Sequence, residues 1–230
     1  YDYAEDAESE EDAIEDYPVT LFLSQHGYFK KITPQSLRMS GEQKFKEDDA
    51  LSMSVESSNA AELMFFTDKA QVYKTRASDF ADGKASQLGD YLPAKLGMDE
   101  GESVMGMVLP GDYSGYMIFF FENGKAAKVE LSAYKTTSNR RRLTGAYSDK
   151  SPLKALLHLK EDREIAVYST EPRVLIVNTA LLGVKTTRTT QGVALLTLKK
   201  KYVLDTVRSV SYTHLRAHET CADFVCRLLL

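Results

Sequence analysis

Leu21–Leu37, LFLSQHGYFKKITPQSL, decides the fold, because the same seventeen-residue phrase returns three times without a gap. Met64–Phe80 reads MFFTDKAQVYKTRASDF, Ile118–Tyr134 reads IFFFENGKAAKVELSAY and Ala166–Leu182 reads AVYSTEPRVLIVNTALL. A fixed period of roughly 40 to 50 residues is the mark of blades or other stacked units, each unable to bury its apolar face alone. Every copy opens on an apolar and aromatic triplet, passes through a polar turn and continues into a second short run. That order predicts a β-hairpin. Gly27 and Gly124 occupy the same turn position, and Asn123-Gly124 is a favoured hairpin dipeptide. A small helical or looped piece follows, closed by Leu37, Phe80, Tyr134 or Leu182.

Further strand-like runs lie at Ala50–Val55, Val104–Leu109, Leu153–Leu159 and Val193–Lys199. With about four strands per unit and four units, the expectation is an all-β, propeller-like domain over residues 18–208. The repeats are read as 19–62, 63–116, 117–164 and 165–207. Residues 1–17 hold nine acids and neither Lys nor Arg, and are read as an acidic linker. Residues 18–208 then carry 27 basic against 22 acidic side chains, a surplus of about five that permits a polyanionic partner without requiring one. No apolar run approaches the ~18 residues of a membrane-spanning helix, so a cytoplasmic protein with no membrane partner is expected.

The eleventh position of the phrase is Lys31, Lys74, Lys128 and then Ile176, with Lys30, Arg76 and Lys125 close by. Lysines can guard strand edges against unwanted pairing. Equivalent charges in successive blades can also follow a phosphate backbone. Arg140, Arg141 and Arg142 in the third unit and Lys185 and Arg188 in the fourth extend the candidate DNA-contacting set.

Ser209–Leu230 stands apart. His214, His218, Cys221 and Cys226 have the look of a zinc site, but Ser209–Thr220, SVSYTHLRAHET, resembles the conceptual translation of a transposase-type sequencing-library adapter. The closing VCRLLL at Val225–Leu230 fits the adapter's other end. These 22 residues are read as non-native, expected to lie apart from the blades and to be dispensable, with the natural C-terminus lost. Both cysteines of the chain fall there, so the remainder has no thiol chemistry.

The pattern hydrophobic-x-hydrophobic-x3-Gly-x3-Lys, as in LFLSQHGYFKK and IFFFENGKAAK, resembles the blades of a known domain, the C-terminal domain found in the A subunits of bacterial type IIA DNA topoisomerases, gyrase and topoisomerase IV. GYFKKITPQSLRMS, KASQLGDYLPAKLGMDEGE and AYSDKSPL give it a clostridial cast. The likeness covers residues 18–207. It implies a β-pinwheel around whose rim duplex DNA is bent, and a parent heterotetramer of two A subunits with two B subunits. It also places ATP and Mg2+ on other parts of that enzyme, with no cofactor in this fragment. Nothing here supplies the breakage chemistry: none of the 13 tyrosines follows an arginine, and there is no G-x4-G-K-[ST] loop. Glu47, Asp48 and Asp49, and likewise Asp99, Glu100 and Glu102, read as exposed turns rather than an ion site.

One departure bears on mechanism. Where gyrases of this type carry a basic, glycine-rich Q-R-R-G-G-x-G box, this chain has Arg38-Met-Ser-Gly-Glu-Gln-Lys-Phe-Lys46. The expected domain therefore bends DNA without reading its sequence and supports relaxation or decatenation. The alternative is a scaffold that binds a protein partner through its face.

Overall fold

The computed structural model describes residues 14–136 and 141–210 and the backbone of Val225–Arg227. Most of the acidic leader, Arg140 and, apart from Ser209, Val210 and that backbone stretch, the adapter-like tail with His214, His218 and Cys221 lie outside the described residues. The first unit contributes β1 (Pro18–Ser24), β2 (Tyr28–Ile32), helix α1 (Pro34–Met39) and β3 (Leu51–Ser58). The second gives β4 (Glu62–Thr67), β5 (Gln71–Arg76), a 3-10 turn at Ala77–Asp79, β6 (Asp90–Tyr91), α2 (Leu92–Lys95) and β7 (Val104–Val108). The third gives β8 (Tyr116–Phe121), β9 (Lys125–Glu130), a turn at Leu131–Tyr134, β10 (Arg142–Thr144) and β11 (Leu153–Leu159). The fourth gives β12 (Glu164–Ser169), β13 (Val174–Asn178), a turn at Thr179–Leu181, β14 (Val184–Lys185), β15 (Val193–Ala194) and β16 (Leu204–Ser209).

Four antiparallel hairpins, β1-β2, β4-β5, β8-β9 and β12-β13, seed four sheets in a propeller-like ring. The first three turns share a left-handed seventh residue, Gly27 at φ 83°, Ala70 at φ 53° and Gly124 at φ 80°, whereas the fourth has Pro172 there. Each hairpin gains a strand of its own unit on one side, namely β3, β7, β11 or β16. The other side is filled from further along the chain. The strand beyond β2 is β6, the strand beyond β5 is β10, and β9 receives both β14 and β15. Every one of these outer strands belongs to the following unit. The first two blades are therefore three local strands and one exchanged one, and the third is three local and two exchanged, a sharing that a repeat reading does not reveal.

Two expectations need correction here. Val193–Lys199 is not the third strand of the fourth blade: only Val193 and Ala194 are extended, and they pair with Ala126 and Lys125 of the third. That strand is β16, whose Ser209 pairs with Ile165. Nor does the whole tail stand apart. Val225–Arg227 forms β17, running parallel to β13 at Val174–Ile176. β17 thereby takes the edge of β13 that exchanged strands occupy on the first three hairpins, and an open ladder edge is a template for any extended segment nearby.

The apolar triplets follow from burial on both faces. In β4, Leu63 and Phe65 enter a core shared with the first blade, while Met64 and Phe66 enter one shared with the third. In β8, Met117, Phe119 and Phe121 face the second blade, and Ile118 and Phe120 face the fourth. Side chains alternate along a strand, so a strand between two neighbours must be apolar at every position. The residue closing each phrase plugs the core toward the preceding blade: Phe80 meets Phe29 and Phe65, Tyr134 meets Phe66 and Phe119, and Leu182 joins the third core. Leu37, in the first unit, instead packs half-buried against Phe22, Ile32 and Ala85.

Seating the exchanged strands requires close backbone approach. A Cβ on Gly192, at φ 71°, would lie 1.9 Å from the Ala126 carbonyl oxygen, and one on Gly89, at φ 89°, would lie 2.2 Å from that of Phe29. Both glycines precede an exchanged strand and face the ninth residue of the phrase. Gly192→Ala is expected to release β15 from β9 and cost at least ~1–3 kcal/mol, from the strained φ together with the clash. A lowered melting temperature with faster amide exchange confined to the edge of β9 is the result to look for.

Candidate nucleic-acid interface

The repeated lysine is internal. Lys31, Lys74 and Lys128 are 3, 8 and 4% exposed. The register pairs them with Leu21, Met64 and Ile118, the first residue of each phrase, so they share the face that packs on the next blade. Their ammonium groups are consumed there. Lys31 Nζ donates to Asn59 Oδ1 at 2.5 Å and lies 3.1 Å from Asp82 Oδ1. Lys74 Nζ donates to Tyr113 Oη at 3.0 Å and Thr136 Oγ1 at 3.3 Å, with Glu62 at 3.9 Å. Lys128 Nζ donates to Asp162 Oδ1 at 2.6 Å and to the Thr179 carbonyl at 3.2 Å. An aromatic ring covers each, Tyr17 at 5.6 Å, Tyr113 at 5.1 Å and Tyr116 at 4.4 Å. A buried ammonium tolerates this site only because its donors are used.

The partners recur as well. One comes from the link between blades, at Asn59, Tyr113 or Asp162, and one from the next unit, just past its closing residue at Asp82 or Thr136 or at the start of its closing turn at Thr179. Burial lowers the Lys74 pKa, opposed by Glu62 and assisted by Arg188. The bonds from Lys128 and Thr179 hold the Asp162 carboxyl below its usual range. Lys30, on the opposite face beside Phe22, is 4% exposed and donates to the carbonyls of Lys44 and Ala85 at 3.0 and 3.3 Å; burial lowers its pKa also. Four of the candidate cations thus join blades or loops to one another.

The remaining described candidates sit outside. Arg141 and Arg142 are exposed at the exchanged β10, and Lys185 is exposed on β14. Arg76 is exposed at the end of β5, and Lys125 and Arg188 are half-buried. Some gather: Arg76 and Arg141 flank Asp79, whose carboxyl is raised by burial but lowered more by bonds from Thr75 and the Arg76 backbone. Arg188 lies over the Tyr134 ring at 5.8 Å and acts on Lys74. Lys125 Nζ donates to Gln191 Oε1 at 3.4 Å. Cations of the second, third and fourth units, Arg76, Arg141 and Arg188, thereby lie around the second hairpin and its closing neighbours, with Lys125 on the third. The first blade differs, for its exchanged strand is Asp90-Tyr91, with Tyr91 tilted on Tyr28 at 5.1 Å. Beside it run exposed Arg38, Lys44, Lys46 and Lys84, tied in by a bond from the Lys44 N–H to the Ala85 carbonyl, 2.8 Å. Sequence reasoning did not single these out; the composition of Arg38–Lys46 was the available signal.

Both the sequence and the fold have counterparts among known proteins. The family described as DNA gyrase C-terminal domain, beta-propeller, matches residues 61–87 and 184–212, two stretches that include the hairpin of the second blade and the outer strands of the third. The DNA gyrase A subunit of Mycoplasma pneumoniae is 30% identical over 142 residues, 58% of this chain and 17% of the relative. The DNA topoisomerase 4 A subunit of Staphylococcus epidermidis is 29% identical over 157 residues, 66% of this chain and 20% of the relative. The crystal structure of the C-terminal domain of DNA topoisomerase IV superposes with a TM-score of 0.75 at 20% identity, covering 86% of this chain and 62% of that one. The structure of the E. coli ParC C-terminal domain gives 0.64 at 14% identity, covering 84% of this chain and 79% of that one.

The chain resembles the C-terminal domain of the gyrase and topoisomerase IV A subunits. It spans about a fifth of the length of these full-length relatives. Among the described residues no helix is long and apolar enough to cross a membrane.

The internal lysines yield a clean separation of roles. Lys128→Met removes the charge while keeping length, and Ile176 shows that the fold accommodates an apolar residue at the same place in the fourth unit. Because Asp162 keeps 35% exposure, water can solvate it, and the expected loss is ~1–3 kcal/mol rather than the larger penalty of a fully buried orphan charge. DNA affinity of the folded variant should stay within about twofold of the parent, measured by denaturant unfolding and fluorescence anisotropy side by side.

Proposed function

We propose that this domain binds and bends duplex DNA without reading its sequence, along the exchanged outer strands, as the C-terminal domain of an A-type subunit in an ATP-dependent type II topoisomerase. The observation that carries the reading is the sorting of cations by exposure: the repeated lysines are buried between blades, whereas Arg141, Arg142 and Lys185, on or next to the exchanged strands, are exposed. Similarity to the gyrase and topoisomerase IV A subunits supports it. On this reading the parent is a bacterial cytoplasmic heterotetramer of two A subunits with two B subunits, and ATP and Mg2+ act elsewhere in that assembly.

Contacts to phosphate position a duplex and carry no sequence information. With Lys30, Lys31, Lys74 and Lys128 spent internally, the remaining described candidates can neutralise about four to six phosphates. Log affinity should then fall against log salt with a slope of roughly −4 to −5. Arg141→Glu combined with Lys185→Glu should weaken binding at least tenfold and leave the melting temperature unchanged. A slope near zero would transfer the rim to a protein partner instead.

Bending 20 to 30 base pairs through 40 to 90° costs on the order of 1 to 6 kcal/mol, to be offset by contacts along the arc. The first blade lacks the arginine pair and glycines of the box, and its exchanged strand is acidic and aromatic. The bend is accordingly shallow and constrains little writhe, and the parent enzyme relaxes or decatenates without introducing negative supercoils. Ligation of nicked circles in the presence of the domain, followed by counting the linking-number change, should show a value near zero; strong captured writhe would overturn this.

A further inference from the structure

Arg142 differs from Lys185, its counterpart on the third blade's outer layer, in being already held by a carboxylate. Its Nη2 lies 2.5 Å from Asp99 Oδ2, its Nε donates to Gln71 Oε1, and its Cζ sits 5.6 Å from the centre of the Tyr73 ring. Gln71 Nε2 donates to the same Asp99 oxygen at 2.9 Å. These bonds, Gln71 first and Arg142 second, hold the Asp99 carboxyl below its usual range, so it stays charged near neutrality.

The placement of Asp99 is built from beneath. Its N–H donates to Glu102 Oε2 at 2.9 Å, and Glu102, 4% exposed, also accepts from Tyr73 Oη at 2.9 Å and from the Thr67 hydroxyl. Yet the Asp99 and Arg142 side chains keep 46 and 40% exposure. An ion pair so open adds little to stability. It does occupy a guanidinium, and carboxylate and phosphate oxygens address that fork in the same way.

We propose that Asp99 is an internal competitor for DNA phosphate at Arg142, rationing the engagement of the second blade. The inference rests on the DNA-binding reading given above. Gln71 and Tyr73 already orient the guanidinium, so the acid is not needed to place it. What the acid adds is a negative charge that a phosphate must displace or share the fork with. Lys185 has no ion pair among the described residues. Duplex DNA therefore settles on the third blade's rim first and reaches Arg142 second, against a cost that raised salt reduces.

The test is a double-mutant cycle by anisotropy on a labelled duplex, with the full chain. Asp99→Asn keeps an oxygen to accept from Arg142 and Gln71 but removes the charge, and should tighten binding about three- to tenfold at low salt, less at high salt. In an Arg142→Ala background the same substitution should gain nothing, since no fork remains to be freed. Unchanged or weaker binding by Asp99→Asn overturns the proposal, and so does an equal gain in both backgrounds, which would make Asp99 one negative charge among many. Absence of duplex binding by the parent chain is a different result, and overturns the functional reading itself.

Discussion

Burial of each hairpin on both faces is the constraint from which the rest of this structure follows. A blade packed on one side could leave polar residues on the other, and its strands would alternate. Here β4 and β8 sit between neighbours, so Met64, Phe65 and Phe66, and Ile118, Phe119 and Phe120, all go to 0% exposure, shared between two cores. Fully burying a side chain of this size contributes roughly 1.5–3 kcal/mol. The third residue of the phrase and the closing aromatic of the next unit meet across the interface, as Phe66 and Tyr134 do at 5.4 Å. Stability is therefore distributed over blade-to-blade contacts, in the manner of a repeat array whose units have little meaning singly.

The same constraint explains what was legible in the sequence and what was not. The triplets, the Gly27 and Gly124 turns and the run Leu153–Leu159 are local signals, and β1, β4, β8, β11 and β12 lie where they point; the first strands begin at Pro18, Glu62, Tyr116 and Glu164, one residue before the repeat bounds. Exchange is not local. Nothing in Asp90-Tyr91 or Val184-Lys185 marks a strand, because two residues have no periodicity, and their pairing is dictated by the open edge of a hairpin tens of residues earlier. Val193–Lys199 misled for the converse reason, being apolar enough for a strand while only its first two residues meet an edge.

The lysines illustrate a subtler failure. Edge protection and phosphate contact both presuppose that these lysines reach solvent, and packing of their face on the next blade makes them internal. Once Lys31 is inside, its charge becomes a demand for partners, met by Asn59, Asp82 and the face of Tyr17. Only the recurrence of a polar or acidic residue at Asn59, Tyr113 and Asp162 hinted at this, and three different side chains do not read as a motif. Charge that the linear count assigned to the surface is thus partly spent on joining blades, and the outward cations are fewer and confined to particular rims.

Exchange also sets a timetable. During synthesis the hairpin ending at Ile32 leaves the ribosome with the outer edge of β2 open, and the strand that covers it is not made until Asp90. At 5–20 residues per second that is a wait of about 3 to 12 s with a bare ladder edge. The second and third hairpins repeat it, ending at Arg76 and Glu130 and waiting for Arg142 and Val184. A nascent chain of this design always carries one unfinished sheet, and neighbouring chains on the same message carry the same edge. Cells that make it rapidly must shield that edge or space their ribosomes, and slow decoding just after each hairpin would lengthen the exposure rather than help.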